Sequence, residues 1–251
     1  MRGSPEARRT AFVTGSTRGI GRAIARRLAA DGMRVIAHGS EDQGRGPAIL
    51  RELPGAGHAF VAGDLAEPMA PRRLFAQALG HAGRIDVLVN NAGIYESAPF
   101  LAGEIDDFLA SWRRTLRVNL EAPAELAYLA ANHMQGQGGK IIQIASRSAF
   151  RGETEFPAYA VSKAGLVNLT ICLARALAPE KVYAYTVAPG WTDTQMGRET
   201  LRDPEGVLAQ IPFGRMAAAD EVAGAVAFLV RREADYLSGI TIDVNGASYF
   251  H

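Results

Sequence analysis

A chain of 251 residues with 48% hydrophobic and 21% charged residues is long enough to bury one large core and has the composition of a soluble globular protein. Its formal net charge of +1 excludes recruitment of nucleic acid or an anionic membrane by bulk charge. The single cysteine, Cys172, excludes an internal disulfide and fits a reducing cytoplasm, and no apolar run reads as long enough to cross a bilayer.

Residues 1–9 are basic, with no long apolar run behind them, and read as a flexible N-terminal arm before one domain over 10–251. A β-type run at 10–14 ends at Gly15, and 22–30 then carries Ala23, Ile24, Leu28 and Ala29 at helical spacing. Asp31-Gly32 breaks that helix before a strand at 33–37. A weak helix at 47–53 and a strand at 58–62 precede a helix at 71–81 whose apolar stripe is Leu74, Phe75, Ala78 and Leu79. The run 85–89 shows little alternation, as in a parallel strand covered on both faces. Two long helices at 104–117 and 120–134, a strand at 141–145, a helix at 158–178 and a strand at 182–187 follow. A helix at 220–232 and a strand at 240–244 close the chain. Seven strands alternating with helices, with no repeat or linker, predict an α/β single-domain Rossmann fold: a doubly wound seven-stranded parallel sheet with helices on both faces.

The turn after the first strand is rich in glycine: Gly15, Gly19 and Gly21, with Thr17, Arg18 and Ile20 between them. Glycines there allow a tight turn and close backbone approach to a pyrophosphate, while the helix N-terminus offers unpaired N–H groups. Dinucleotide sites selective for NAD place an acid at the end of the second strand, to bond the ribose 2′-hydroxyl. Here that strand runs into His38-Gly39-Ser40, which leaves room for a 2′-phosphate beside Arg18. NADP(H) is therefore favoured, with Arg18, His38 and Ser40 around the phosphate; Glu41 and Asp42 follow at once and keep NAD(H) possible.

Further along, Ser146 follows an apolar strand, Tyr159 comes thirteen residues later, and Lys163 is four beyond that. At i and i+4 the tyrosine and lysine share one helix face, and an ammonium beside a phenol favours the phenolate. A tyrosine lowered in this way can exchange a proton with a carbonyl or alcohol oxygen, which Ser146 can also hydrogen-bond.

These motifs, with Asn90-Asn91-Ala92-Gly93 after the fourth strand and Pro189-Gly190 after the sixth, resemble the short-chain dehydrogenase/reductase family in order and spacing. The resemblance implies an enzyme that transfers a hydride between a nicotinamide cofactor and a carbonyl or secondary alcohol. It makes Tyr159 the acid/base, Lys163 its partner on the nicotinamide ribose, Ser146 the holder of the substrate oxygen, and Asn119 the residue that steadies a water. It also implies that Asp64 and Leu65 flank the adenine, that Asn91, Ala92 and Gly93 line the adenine-ribose side, and that Pro189, Gly190, Thr192 and Thr194 face the carboxamide.

Within the family, Pro212–Ala223 and Leu237-Ser238-Gly239 resemble the 3-oxoacyl-acyl-carrier-protein reductase subgroup. Two places where that subgroup offers arginines to an acidic carrier align with Gln137 and Glu180, and its usual asparagine before the Pro-Gly segment is Tyr185. A sugar, polyol or small-alcohol dehydrogenase is the alternative, and a non-catalytic NAD(P)-binding sensor or scaffold the alternative of another class. Tyr95, Arg147, Arg151, Trp191 and Met196 are the chief substrate candidates, with Phe150, Glu153 and Glu155 beside them; no metal ligands are expected. The segment 196–213 resembles the family's mobile lid. The resemblance further implies a cytoplasmic homotetramer or homodimer acting on a small molecule, without nucleic acid or membrane. The alanines at 122, 124, 127, 130 and 131 fit either a subunit interface or an internal core, and the tail 248–251 fits contact with a neighbouring subunit.

Overall fold

All four residues of β1 (Thr10–Val13) are buried, and the strand lies mid-sheet with parallel neighbours on both sides. The computed structural model describes residues 8–199 and 203–251, and its sheet runs in the order β3-β2-β1-β4-β5-β6-β7. The other strands are β2 (Arg34–Gly39), β3 (Ala59–Ala62), β4 (Val87–Asn90), β5 (Gly139–Ile144), β6 (Val182–Pro189) and β7 (Thr241–Val244), all paired in parallel. The winding reverses between β1 and β4, which opens a crevice at the C-terminal ends of these two strands.

Helices cover both faces. One core layer gathers Ile24 and Leu28 of α1 (Gly19–Ala30), Ile49 of α2 (Arg45–Glu52) and, from the chain's last helix, Val222 and Val226. The opposite layer gathers Leu74 and Ala78 of α3 (Ala70–Ala82) with Leu126, Ala127 and Ala130 of a helix after β4. Ala122, Ala127 and Ala130 are fully buried here, so these three alanines serve the internal core.

The two helices expected at 104–117 and 120–134 form one rod: α4 (Ile105–Leu116) runs through a π-helical stretch (Arg117–Glu121) into α5 (Ala122–Met134). Three short helices were not foreseen: α6 (Ser148–Arg151), α8 (Gln195–Glu199) and α9 (Pro204–Ala209). Between them α7 (Pro157–Leu177) follows α6, and α10 (Ala219–Leu229) is the last helix. The expectation that no apolar stretch matches a membrane span fails by length and composition at α7 and the turn after it, since Pro157–Glu180 covers 24 residues and includes 18 consecutive ones with a mean hydropathy of 1.3. That helix packs against β5 and β6, and carries Tyr159 and Lys163 on its inner side.

The arm expected at 1–9 lies outside the described residues except for Arg8 and Arg9, and those two are anchored. Arg8 donates to the carbonyls of Gly32, Ala56 and Met33 at 2.7, 2.7 and 2.9 Å, and Arg9 to Val230 at 3.0 Å. The C-terminal tail folds back onto its own subunit. The Tyr249 hydroxyl donates to the Phe150 carbonyl at 3.1 Å, His251 stacks on Phe150 at 3.8 Å, and His251 lies 3.2 Å from Asp243.

Leu126 is fully buried between α5 and the sheet. Leu126→Ala is expected to lower unfolding free energy by about 2–5 kcal/mol, read from urea denaturation.

Candidate active site

A cleft of about 310 Å³ runs along the C-terminal ends of the strands, from the β2–α2 side to the end of β6. Its floor is the glycine turn, which the surrounding chain clamps from three sides. Asn91 Nδ2 donates to the carbonyls of Thr14 and Gly15 at 2.9 and 3.1 Å. Thr14 Oγ1 accepts the backbone N–H groups of Asn91 and Ala92, both at 3.0 Å. His38 Nδ1 accepts the Gly15 N–H at 3.1 Å, while its Nε2 lies 3.0 Å from the Gly63 carbonyl. A carbonyl only accepts, so Nε2 carries the proton and the ring is neutral, in keeping with burial pushing its pKa down. His38 therefore lines the cleft with both nitrogens already engaged, which corrects its expected place on the phosphate: it holds the turn instead.

The turn is shaped for a phosphate to approach its backbone. A Cβ on Gly21 would collide with the Gly15 carbonyl oxygen and the Asn91 amide, and Gly19 at φ +52° occupies the left-handed region that suits glycine. Thr17, Arg18 and Ile20 line the cleft with them. At the β2 end the wall includes Gly39, Ser40 and Arg18, together with Arg45 of α2, which sequence reasoning missed. Only folding of the β2–α2 loop brings this second arginine to the cleft that Arg18 lines. Glu41 and Asp42 do not line the cleft; Glu41 accepts from Gln43 and Asp42 from the Gly46 N–H at the start of α2. After β3, Asp64 accepts the Ala66 N–H at 2.9 Å and Leu65 is buried, both on the cleft wall.

At the other end Ser146, Tyr159 and Lys163 share the wall, with Gly93 against them. A Cβ on Gly93 would lie 3.5 Å from Lys163 Nζ and 3.2 Å from Asn119 Oδ1. Lys163 donates to the Ile144 carbonyl at 2.9 Å, and its Nζ lies 5.5 Å from the centre of the Tyr159 ring. Burial pushes the Lys163 pKa down to about 8. Burial also pushes Tyr159 up to about 12, against a hydrogen bond to Ser146 that lowers it. The expected fall in the tyrosine pKa is thus reversed: Lys163 bonds the Ile144 carbonyl instead of the phenol, and desolvation, with the Glu153 carboxylate, outweighs the Ser146 hydrogen bond. Asn119 stands one layer behind the wall, inside the π-helical stretch, where it accepts the Ile94 N–H at 2.8 Å and donates to the Ile94 carbonyl at 2.9 Å.

Pro189, Gly190, Thr192 and Thr194 line the cleft beyond β6, and Thr194 Oγ1 accepts the Gly197 N–H at 3.1 Å where α8 begins. Tyr95, Arg147, Trp191 and Met196 also line it. Tyr95 stacks on Phe156 at 3.8 Å and meets Tyr159 edge-on at 4.6 Å. Arg147 is buried and donates to Ser248 Oγ at 2.9 Å. Arg151 does not line the cleft; it reaches Gln210 at 3.4 Å. Glu153 does, and so does Ser148, which sequence reasoning missed because nothing marks a serine in a loop as special. The expected lid segment is described except for residues 200–202, which lie outside the described residues. Gln137 and Glu180 flank the N-terminal ends of β5 and β6, the opposite end of the sheet from the cleft, so their side chains do not bear on this chain's own cleft. Tyr185 is a core residue, its hydroxyl donating to the Ala234 carbonyl at 2.9 Å. No group of three or more potential metal ligands occurs among the described residues.

A family model described as enoyl-(acyl carrier protein) reductase matches residues 15–247. The chain is 35% identical over 241 residues to a 3-oxoacyl-(acyl-carrier-protein) reductase of Escherichia coli (strain K12), covering 95% of this chain and 96% of that one. It is 36% identical to an L-rhamnose 1-dehydrogenase (NAD(P)(+)) of Azotobacter vinelandii, covering 96% of each. Among solved structures, a blue fluorescent protein from a metagenomic library in complex with NADPH superposes with a TM-score of 0.87 at 34% identity, covering 96% of this chain and 98% of that one. A short-chain dehydrogenase/reductase of Serratia marcescens, a double mutant, also gives 0.87, at 33% identity over 98% and 99% of the two chains.

Gly21→Ala is expected to abolish nucleotide binding in a fluorescence titration and to destabilise the fold by about 1–3 kcal/mol, the range for overpacking. Lys163 has a pKa of about 8 in the fold against 10.5 as its ordinary value. Between these values the unfolded chain binds more protons, so stability rises with pH there. Melting temperatures of Lys163→Met should lack the part of that rise which this lysine supplies to the wild type.

Proposed function

The chain belongs to the short-chain dehydrogenase/reductase family, and from that premise we propose that Ser146, Tyr159, Lys163 and Asn119 serve reversible hydride transfer between NADP(H) and a small carbonyl or secondary-alcohol substrate. The observation that carries the reading is one wall: Ser146, Tyr159 and Lys163 meet at the end of β5, along the cleft from the glycine turn. The protein is an NAD(P)-dependent oxidoreductase of the 3-oxoacyl reductase type. NADP(H) fits the residues present, since the glycine cradle leaves no room for a Cβ at Gly21 and two arginines, Arg18 and Arg45, line the same cleft as Ser40.

When bound, the cofactor supplies or accepts the hydride at its nicotinamide ring. Tyr159, neutral at pH 7 with its pKa pushed up to about 12, holds a proton at Oη for a carbonyl oxygen. Loss of that proton beside Lys163 is eased by the buried ammonium, which the Ile144 carbonyl aims. Asn119 braces the Ile94 backbone through both ends of its amide, keeping the wall beneath Tyr95 in place. Pro189 to Thr194 close the nicotinamide end, and Asp64 and Leu65 the adenine end.

A sugar or polyol dehydrogenase is the second reading. Tyr95, Arg147, Ser148 and Glu153 give the substrate end a polar wall, and one relative acts on L-rhamnose. A sensor without turnover is disfavoured by the intact Ser146, Tyr159 and Lys163 wall. We infer a cytoplasmic setting from the free, exposed Cys172, and assembly as a homodimer or homotetramer from exposed Tyr128 on α5 and Val161 and Ile171 on α7.

The test is absorbance at the reduced-nicotinamide band with NADPH and NADH in parallel, against β-ketoesters, acyl thioesters, diketones and keto-sugars. NADPH is expected to turn over faster, and Tyr159→Phe to lower kcat by about 100- to 10,000-fold. A Tyr159→Phe protein with near-normal turnover would sink the assignment.

A further inference from the structure

Lys163, Glu153 and Arg147 are the charged side chains that line the reaction end of the cleft. Two of them are committed to protein partners. Lys163 donates to the Ile144 carbonyl at 2.9 Å, while Glu153 accepts from Ser148 at 2.7 Å and has Arg151 Nε at 3.9 Å. Arg147 is not. It is only 4% exposed, yet among the described residues its guanidinium makes no ion pair, and its one hydrogen bond runs from Nη1 to a neutral hydroxyl, Ser248 Oγ, at 2.9 Å. Nε and Nη2 have no partner among the described residues, and neither is sealed from solvent. Burial and, next, the neighbouring Arg151 cation push the Arg147 pKa down, and Glu153 and Tyr95, both on the cleft wall, act in the other direction.

The side chain is also held in place. The Arg147 backbone N–H donates to the Pro189 carbonyl at 3.0 Å, which fixes the start of the side chain beside Ser146. Ser248, which fixes its end, sits in a tail pinned by Asn245 Nδ2 on the Tyr249 carbonyl at 2.9 Å and by the Tyr249 hydroxyl on the Phe150 carbonyl at 3.1 Å. A guanidinium so fixed loses little freedom when a ligand docks on it.

We propose that Arg147 is a specificity-determining residue that pairs with a carboxylate of the substrate, so that the site takes short oxo acids in preference to neutral ketones. A buried cation without a counterion is costly, and a bound anion removes that cost. A carboxylate does so best, because its two oxygens match the parallel N–H groups of the guanidinium fork. A neutral sugar accepts from the same N–H groups but leaves the charge uncompensated. The carbonyl carbon takes a hydride from NADPH and its oxygen a proton from Tyr159, giving the hydroxy acid and NADP⁺; the carboxylate is unchanged.

The inference rests on the hydride-transfer reading of this cleft, and the experiment separates the two. Initial rates with NADPH are compared for pyruvate, acetoacetate and levulinate, each against its own methyl ester. The series moves the carboxylate one carbon at a time away from the carbonyl. In the wild type the preferred acid is expected to exceed its ester about tenfold or more in kcat/KM, and Arg147→Gln and Arg147→Met to lower that ratio by about 30- to 1,000-fold, the range for removing one partner of a desolvated charge pair. Dissociation constants of the same pairs in the unreactive complexes with NADP⁺, read by calorimetry, are expected to follow. A general change in the pocket moves acid and ester together, so the ratio reports the charge. Esters that match or exceed their acids at all three lengths, which the wild type alone reveals, overturn the subsite and leave hydride transfer in place. So does a ratio that moves less than about threefold in the folded variants, well short of a lost charge pair. Turnover of no acid and no ester by a wild type that binds NADPH overturns the hydride-transfer reading, and the subsite with it.

Discussion

Hydrogen bonds to one backbone turn hold the molecule's working geometry together. The turn after β1 has few side-chain atoms of its own, and its glycines would otherwise sample many conformations. Asn91, Thr14 and His38 reach it from β4, β1 and β2, and fix both edges of the crevice at the point where the winding reverses. Thr14 and Asn91 lie just beyond the ends of β1 and β4, and His38 sits within the last two residues of β2. The nucleotide end and the reaction end of the cleft are therefore referenced to the same few atoms, and a shift of the turn would move both.

Burial sets the electrostatics of the reaction end. Seen along a helix, Tyr159 and Lys163 look like a phenol beside a cation, and the simple expectation is a lowered tyrosine pKa. In the fold both groups are desolvated, and the ammonium is aimed at the Ile144 carbonyl rather than at the phenol. The tyrosine is left neutral and the lysine weakly basic, a resting state suited to giving a proton rather than taking one.

How much of this is legible without coordinates depends on distance along the chain. The strands were readable because a parallel sheet demands unbroken apolar runs such as 85–89, and the Tyr159–Lys163 pair because i and i+4 is local. The glycine turn announced itself by position. What escaped are placements made by folding: Arg45 on the cleft that Arg18 lines, Ser148 against Ser146, and His38, whose type suggests a phosphate contact while its partners are backbone atoms. Arg151 failed for the same reason, since nothing local says which way a loop arginine turns. The tail at 248–251 also makes contacts with Phe150 that nothing local in the sequence announces.

The π-helical stretch at Arg117–Glu121 can be viewed as one residue stitched into an otherwise regular rod. Each residue of an α-helix turns by about 100°, so the extra one rotates everything beyond it against what came before. Deleting a single residue there would heal the hydrogen-bond ladder of α4 and α5 and swing Asn119 out of reach of the Ile94 backbone. The wedge is thus a place where a shorter chain would make a more regular helix and turn the buried face of α5, Leu126, Ala127 and Ala130, away from the core it fills.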